Sequence, residues 1–318
     1  MNIVFTICSA NYLSAALSLK ESFEKHNVDL FFVVLTDKSP IDKKANNIIE
    51  VEEIGIAKET FDTLLDEYNI IEFNTAIKPF AFTYFNKTYT PDKIMYLDPD
   101  ILVFDSLNLI WKSIDDNDFA ITPHILSPDI SPDLYHLLLA SINTGVFNLG
   151  FIAICMNERT VEILKWWQKH LTTYGHNRIT KGEFYDQKVM NLLPVFSDRV
   201  SILKHPGMNI AEWNFHERQL TTEDGKYYSN NQPVIFFHFS GIKISSFEKN
   251  SAANRLLKSI HCMEAYRDII DYYITMNKKN RHEAFSKIEC CYNLKPNIHR
   301  DSRATVYKYK LKKWFKIK

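Results

Sequence analysis

The chain has 318 residues, 46% of them hydrophobic and only 8 of them glycine, which excludes a disordered protein and allows one large domain with an appended piece. Its 38 Lys and Arg residues equal its 38 Asp and Glu residues in number. From Lys278 onward, however, 13 basic residues stand against 3 acidic ones, so this end carries +10 and the preceding part −10. An acidic body with a basic end argues against nucleic-acid binding and indicates a tail with its own partner.

The cysteines and the first residues indicate the compartment. The cysteines are odd in number and lack Cys-x-x-Cys spacing, which favours a reducing cytoplasm. The opening MNIVFTICSANYLS lacks the basic start and the long apolar run of a signal peptide. No stretch reaches the roughly 18 apolar residues that a membrane span needs. We therefore expect a cytoplasmic protein.

The first hundred residues alternate between apolar runs and amphipathic segments. NIVFTIC, DLFFVVL and NIIEVEEI predict three strands, and YLSAALSLKESFEKH predicts a helix between the first two. A helix over about residues 75–85 comes next, followed by the strand KIMYL. This order predicts an α/β fold with a doubly wound, mostly parallel sheet.

The rest of the chain contains a second α/β stretch and a helical end. The segments FAITP, GVFNLGFIAIC, VSILK and PVIFFHF predict strands, and VEILKWWQKHL predicts a helix. From about Glu248 the pattern becomes helical, and the chain ends in VYKYKLKKWFKIK. We expect one domain over residues 1–247 and a helical C-terminal extension with a basic amphipathic tail over residues 248–318.

Two carboxylates, Asp98 and Asp100, follow the apolar strand KIMYL. Asp-Pro-Asp would also suit a simple turn. At the end of a buried strand, however, two carboxylates repel each other unless a cation compensates their charge. Mg²⁺ and Mn²⁺ accept one or two carboxylates and complete their shell with phosphate oxygens. An EF-hand is excluded, since Leu102 takes the fifth loop position and the glycine of the sixth is absent. The pair predicts a Mn²⁺ or Mg²⁺ site where open α/β sheets bind ligands.

Several other enzyme classes lack their motif in this sequence. Gly-x-Gly-x-x-Gly, Walker and Gly-x-Ser-x-Gly patterns are absent, which argues against dinucleotide, P-loop and nucleophile-elbow chemistry. A Mg²⁺-dependent phosphohydrolase would use an Asp-x-Asp pair, but its nucleophilic aspartate ends the first strand. This chain has Cys8 and Ser9 there, so a phosphohydrolase is the weaker alternative.

Seven segments carry a resemblance to a known family. In chain order they are IVFTICSANYLSAALSL, FNTAIKPFAF, KIMYLDPDILVF, NTGVFNLGFIAI, FYDQKVMNLLP, HPGMNIAEWN and FFHFSGIK. Together, over roughly residues 2–245, they resemble the motifs of GT-A fold, nucleotide-sugar-dependent glycosyltransferases. The most similar group is the retaining family eight, which includes glycogenin and bacterial lipo-oligosaccharide galactosyltransferases. Its closing motif runs His-x-x-Gly-x-x-Lys-Pro-Trp, whereas here Lys243 follows Gly241 by two residues and Ile-Ser-Ser comes next. This departure indicates a bacterial sister group.

The resemblance implies roles for individual residues. Asp98, Asp100 and His238 would hold the metal, and Asp186 with Gln187 would act at the transferred sugar. These roles have structural alternatives. His238 could be a core histidine and Lys78 a solvated helix lysine. The Asn148–Gly150 segment could form a β-bulge, and Asp186 with Gln187 could cap a helix. The residues expected to bind the nucleotide sugar are Thr6, Cys8, Asn11, Tyr12, Lys78, Asp98, Asn148, Gly150, Gly241 and Lys243.

The implied activity is transfer of a hexose from a nucleotide sugar, in the simplest case UDP-linked, to a hydroxyl of a cell-surface glycan or lipid-linked acceptor, as in polysaccharide biosynthesis. In a retaining enzyme the leaving phosphate can take the acceptor proton, while an inverting enzyme needs a carboxylate, for which Asp186 is the candidate. The sequence does not decide between retention and inversion of the sugar's stereochemistry. A non-catalytic nucleotide-sugar or glycan-binding subunit on the same fold is the alternative function.

The end of the chain, VYKYKLKKWFKIK, interleaves apolar residues with six lysines. On a helix, the apolar residues at 307, 311, 314 and 315 share one side, as in an interfacial membrane helix. Each lysine near an anionic surface contributes about 1 kcal/mol. We expect peripheral attachment to the inner face of the cell membrane, with a solvated, disordered end as the alternative.

Overall fold

The structure is a computed structural model that describes residues 1–128, 131–242, 244 and 263–296. Lys243 and the basic tail therefore lie outside the described residues, as does the start of the C-terminal extension. The strands, in chain order, are β1 (Asn2–Cys8), β2 (Leu30–Leu35), β3 (Ile48–Glu50), β4 (Lys93–Leu97), β5 (Ile101–Val103), β6 (Phe119–Pro123), β7 (Phe147–Cys155), β8 (Asn177–Arg178), β9 (Glu183–Phe184), β10 (Val200–Ile202), β11 (Leu220–Glu223), β12 (Lys226–Ser229), β13 (Gln232–Pro233) and β14 (Phe236–His238).

The helices predicted within the first 175 residues are present, together with others that the apolar pattern did not predict. The helix predicted over about residues 75–85 is α4 (Ile70–Tyr89), which begins about one and a half turns earlier because Asn69 and Glu72 form a capping box. Short 3₁₀ turns include Val189–Leu192 and Glu212–Glu217. The α-helices are α1 (Leu13–Glu24), α2 (Lys43–Asn46), α3 (Lys58–Glu67), α4 (Ile70–Tyr89), α5 (Asn108–Ser113), α6 (Tyr135–Thr144), α7 (Glu158–Tyr174), α8 (Leu193–Phe196), α9 (Met263–Lys279) and α10 (His282–Phe285).

A seven-stranded sheet in the order β10-β6-β7-β4-β1-β2-β3 forms the centre of the molecule. Neighbouring strands are parallel except at β7, which runs antiparallel to both β4 and β6. The predicted fold class, α/β with a doubly wound and mostly parallel sheet, is confirmed.

Both faces of this sheet are covered, which explains the continuous apolar runs in the sequence. Alternate residues of a strand point to opposite faces. In β1, Ile3 and Phe5 pack in the core cluster that contains apolar residues of α4 and α7, while Val4 and Cys8 pack in the cluster that contains those of α1 and α5. Strands buried on both sides lack the polar alternation of a half-exposed sheet.

The last strand and the C-terminal helix form a smaller layer beside the main sheet. Strand β14 pairs with β5 in antiparallel fashion, with His238 opposite Ile101. Helix α9 packs on this pair, and the rings of Tyr273 and Phe239 stack with centroids 4.1 Å apart. The division into residues 1–247 and 248–318 stays a prediction. Among the described residues, no helix combines the length and the apolar character needed to cross a membrane.

Candidate functional site

Residues from distant parts of the chain meet at one edge of the main sheet. Cys8 ends β1, and Asp98 directly follows β4, so both lie at the carboxyl ends of parallel strands. Because β7 runs in the opposite direction, its first residues, including Asn148, lie at this same edge. His238 reaches the edge through the pairing of β14 with β5, the strand that follows Asp100. This is the edge where open α/β sheets bind ligands.

Asp98, Asp100 and His238 form a cluster with the composition of a metal site. One ligand atom from each side chain lies within 4.8 Å of the others. The Nε2 atom of His238 is 3.1 Å from Oδ1 of Asp100 and 3.6 Å from Oδ2 of Asp98. Its Nδ1 atom lies 3.4 Å from Oδ1 of buried Asn209, a contact that directs Nε2 to the carboxylates. The two carboxylates suit a hard divalent cation such as Mn²⁺ or Mg²⁺, and the imidazole is a common ligand of transition metals.

Gly150 leaves the space into which this cluster opens. A Cβ atom at this position would lie 2.5 Å from Cε1 of His238 and 2.7 Å from Oδ2 of Asp98. Its carbonyl oxygen accepts a hydrogen bond of 2.7 Å from the Asp98 amide. The register between β6 and β7 shifts in this stretch, between Ala120 and Thr122 of β6. This irregular pairing agrees with the β-bulge that the sequence offered as the structural alternative for this segment, while contact of Asn148 and Gly150 with a sugar stays a prediction.

The charges of the cluster depend on each other. Burial raises the pKa of Asp98, although Lys78 and His238 partly offset this effect. Burial lowers the pKa of His238, but the neighbouring Asp100 and Asp98 carboxylates outweigh it, so that this pKa is raised. The Tyr96 hydroxyl donates a hydrogen bond of 2.5 Å to Asp98, and burial holds the tyrosine pKa well above its usual value. A cation would relieve the cost of placing carboxylates here.

On one side of the cluster lies a cleft of about 520 Å³, called here the sugar-side cleft after the sugar contact that the sequence analysis expects of Asp186 and Gln187. Lys78 of α4 is buried in its wall and donates to Oδ2 of Asp186 at 2.6 Å and to the Leu149 carbonyl at 2.8 Å. The ammonium also lies 4.2 Å from the ring centre of Tyr96. Burial raises the pKa of Asp186, while Lys78 opposes this effect. Lys78 is thus no solvated helix lysine.

A second polar group of this cleft surrounds Gln187, which lies between β9 and a 3₁₀ turn. Its Oε1 atom accepts hydrogen bonds of 3.3 Å from the Asn148 side chain and from the Leu149 amide. His124, just after β6, lies 3.2 Å from Asn148 through Nε2. Burial lowers the pKa of His124 to about 4, so the ring is neutral at physiological pH. Asn148 is thereby held by two neutral partners.

On the other side of the cluster lies a second cleft of about 520 Å³, called here the nucleotide-side cleft after the nucleotide contact that the sequence analysis expects of the residues around the end of β1. It begins at the end of β1 and the start of α1, where Tyr12 presents an exposed ring. Asp98 and Asp100 line both clefts, so the cluster forms their junction. The predicted nucleotide-sugar residues in this second cleft are Cys8, Asn11, Tyr12, Asp98 and Gly241.

The structure therefore brings most of the predicted residues together, with two exceptions. Thr6 does not line either cleft, because it lies two positions before the end of β1 and is buried. Lys243 lies outside the described residues. The sequence analysis missed three residues of the site: His124, Asn209 and Trp213. The ring centre of Trp213 is 5.3 Å from that of His238. Asn209 and Trp213 belong to HPGMNIAEWN, one of the seven segments that carry the resemblance, but the sequence analysis assigned no role to either residue.

Two proteins of Bacillus subtilis (strain 168) are similar to this chain in sequence. The uncharacterized protein YfnF is 23% identical over 266 residues, which cover 80% of this chain and 84% of YfnF. The uncharacterized protein YfnD is 23% identical over 256 residues, covering 75% and 77% of the two chains. No family model matches the chain.

The solved structures that are similar to this chain include three glycosyltransferases. The galactosyltransferase LgtC, in complex with donor and acceptor sugar analogues, is 20% identical with a TM-score of 0.49, covering 84% of this chain and 99% of LgtC. The glycosyltransferase GlyE of Streptococcus pneumoniae TIGR4 is 15% identical with a TM-score of 0.47, covering 90% of this chain and 65% of GlyE. A glycosyltransferase involved in the glycosylation of the major capsid of PBCV-1 is 10% identical with a TM-score of 0.45, covering 80% of this chain and 98% of that enzyme.

Proposed function

We propose that this protein is a metal-dependent glycosyltransferase that moves a hexose from a UDP-linked sugar to a hydroxyl of a cell-surface glycan or lipid-linked acceptor. The observation that carries the proposal is the position of Asp98, Asp100 and His238 at the junction of two clefts. A nucleotide sugar has this same division, with a diphosphate between a nucleoside and a hexose. The ligand chemistry of the cluster suits the diphosphate and its cation.

The two clefts differ in the way that such a donor requires. The nucleotide-side cleft offers the exposed ring of Tyr12 for stacking and the amide of Asn11 for hydrogen bonding. The sugar-side cleft offers the buried carboxylate of Asp186 and the amides of Asn148 and Gln187, which suit sugar hydroxyls. A bound divalent ion would neutralise charge on the departing diphosphate. The protein's own residues then have to orient the hexose and exclude water.

Asp186 is better placed to orient a sugar than to remove a proton. Its Oδ2 atom is already engaged by the Lys78 ammonium at 2.6 Å, which fixes the carboxylate in the wall of the cleft. A fixed, ion-paired carboxylate is a strong acceptor for a sugar hydroxyl. This geometry supports the retaining course, in which the leaving phosphate takes the acceptor proton.

Donor turnover tests the proposal. Purified protein is incubated with Mn²⁺ and, separately, UDP-glucose, UDP-galactose, UDP-N-acetylglucosamine and GDP-mannose, and the released nucleoside diphosphate is measured together with the mass of the products. We expect UDP release from one of the UDP-sugars, abolished by EDTA and restored by added Mn²⁺. Tight binding of a UDP-sugar without turnover, with or without glycan acceptors, would support the non-catalytic subunit. Failure to bind any of the four donors would contradict both functions.

We also propose that the enzyme works at the inner face of the cell membrane, which would suit a lipid-linked acceptor. The support is the pattern of the C-terminal sequence, in which six lysines alternate with aromatic and aliphatic residues. No part of that tail lies among the described residues. Its binding to anionic vesicles is tested with the prediction for the whole molecule below.

A further inference from the structure

Helix α6 exposes apolar side chains to solvent and contains no Lys, Arg, Asp or Glu residue. In its sequence, YHLLLASINT, Tyr135 and Ile142 are 51% and 53% exposed, and Leu139 is also exposed. Their spacing of four and three residues places them in one stripe on the outer side of the helix. A surface helix of a globular protein normally presents polar or charged residues on that side. This stripe therefore needs an explanation.

The stripe continues into the segment that follows the catalytic candidates. The amide of exposed Val146, just after α6, donates to Oδ1 of Asn191 at 3.0 Å. Beside this contact, Lys188 donates through Nζ to the Asn143 carbonyl at 2.7 Å. Residues 192–196 follow directly and expose three more large apolar side chains: Leu192, Val195 (75% exposed) and Phe196.

A row of rings extends the stripe along α7. Phe196 contacts Trp166 edge-on with centroids 5.0 Å apart, and Trp166 stacks on His170 at 5.9 Å. His170 in turn contacts Tyr174, whose ring is exposed, at 5.4 Å. Trp and Tyr side chains, with an apolar body and a polar tip, are the residues that concentrate at membrane interfaces.

The basic tail follows the last described residue, Pro296. The Lys295 amide donates to the Tyr68 carbonyl at 3.0 Å, and the hydroxyl at the other end of this buried tyrosine accepts a hydrogen bond of 2.8 Å from the amide of Gly175. Gly175 directly follows Tyr174, so the single side chain of Tyr68 separates the last described residues from the end of the ring row. Residues 297–318 follow in the sequence. Those residues contain eight Lys and Arg against one Asp.

We propose that the outer side of α6, residues 192–196 and the α7 ring row form one apolar surface that docks on an anionic lipid bilayer. The apolar side chains would enter the headgroup region, while the basic residues that follow Pro296 meet anionic lipid. Leu137, Ser141 and Thr144, on the inner side of α6, line the sugar-side cleft. Docking would therefore bring the rim of that cleft to the membrane. The inference rests on the proposed membrane attachment but does not require sugar transfer.

Vesicle sedimentation with surface variants tests this proposal. The full-length protein is mixed with vesicles of equal parts phosphatidylglycerol and phosphatidylcholine, and the bound fraction is measured against lipid concentration. The surface variant combines Leu139→Gln, Ile142→Gln and Val195→Gln. The matched control combines Val28→Gln, Leu109→Gln and Ile202→Gln, three exposed apolar residues outside the proposed surface. Circular dichroism melts show whether each variant folds like the wild type.

We expect the control to bind like the wild type and the surface variant to bind at least tenfold more weakly. At about 0.5 M NaCl the tail charges are screened. Under this condition the wild type should keep a residual binding to the vesicles, which the surface variant should lack. If the surface variant binds the vesicles as strongly as the matched control, the proposal is overturned. A wild-type dimer in lipid-free light scattering that the surface variant converts to monomer would also overturn it, in favour of contact between copies of this chain.

Discussion

Gly150 is the residue at which the candidate site leaves the least room for change. A Cβ atom would lie 2.5 Å from His238 and 2.7 Å from Asp98, both proposed metal ligands. We predict that Gly150→Ala weakens Mn²⁺ binding at least tenfold, because the methyl group displaces one of these ligands. Isothermal titration calorimetry with Mn²⁺ measures the affinity. Gly225→Ala serves as control: its Cβ meets nothing within 4 Å, and the strain from its positive φ of 74° falls on the turn between β11 and β12, which lines neither cleft. An unchanged affinity in Gly150→Ala would contradict the metal site.

Lys78 has a second role at the residue scale, in stability. Its ion pair with Asp186 is buried on both sides, so removing the ammonium leaves a carboxylate without its charge partner. Breaking such a pair typically costs about 3 kcal/mol or more. We predict that Lys78→Met lowers the free energy of unfolding by about 3 kcal/mol, as measured by urea denaturation.

The matched control for that prediction is Lys165→Met, which removes an exposed partner of Glu162 at 2.6 Å. Exposed pairs contribute about 0–1 kcal/mol, so little change is expected there. Transfer activity should fall in Lys78→Met even under conditions where the variant is folded. If both lysine variants lose the same stability, the buried pair is not the cause.

At the scale of elements, Asp118 joins the start of β6 to the start of α7. Its carboxylate accepts hydrogen bonds of 2.8 and 2.9 Å from the Arg159 guanidinium and one of 2.9 Å from the Asn157 side chain, the N-cap of α7. The Arg159 hydrogen bonds hold the pKa of Asp118 below its ordinary value. A lowered pKa in the folded state stabilises the fold above the pKa of the unfolded state, and this contribution disappears as the pH falls through the folded value.

We therefore predict that Asp118→Asn is less stable than the wild type at pH 7, and that the two converge in acid. The difference should narrow below about pH 4, the ordinary pKa of an aspartate. Thermal or urea unfolding between pH 3 and pH 7 measures the difference. Asp62→Asn, at an exposed pair with Lys58, should show a far smaller effect. A constant difference across this pH range would exclude the linkage.

At the scale of the whole molecule, the proposed membrane attachment depends on the asymmetry of charge between the acidic body and the basic tail. We predict that replacing Lys308, Lys310, Lys312 and Lys313 together by Gln releases most of the protein from anionic vesicles at low salt. Four charges at about 1 kcal/mol each would weaken binding by roughly a thousandfold. Replacing Lys44, Lys58, Lys87 and Lys112 by Gln, four lysines of the acidic body, removes the same charge and should have little effect. Vesicle sedimentation compares the two variants; equal release would exclude a special role for the tail.

Much of the fold was predictable at the scale of elements, because the signals are local. The apolar runs NIVFTIC and DLFFVVL became β1 and β2 almost residue for residue. Helix α4 was placed correctly but predicted too short, since its start depends on a capping box rather than on apolar spacing. The segment PVIFFHF was predicted as a strand, but its pairing with β5 outside the main sheet was not. Pairing is a non-local property that strand patterns do not encode.

The sequence by itself determined that an α/β sheet forms and that Asp98 and Asp100 follow one of its strands. Both properties are written in a few consecutive residues, through apolar runs and their ends. Only the tertiary structure decided that Lys78 bonds Asp186, 108 residues further on, and that Asn209 faces His238. It also decided that Phe196 contacts Trp166 of α7, and that the amide of Val146, just after α6, bonds Asn191. Such contacts arise when separate segments pack together, and no local pattern specifies which of them will meet.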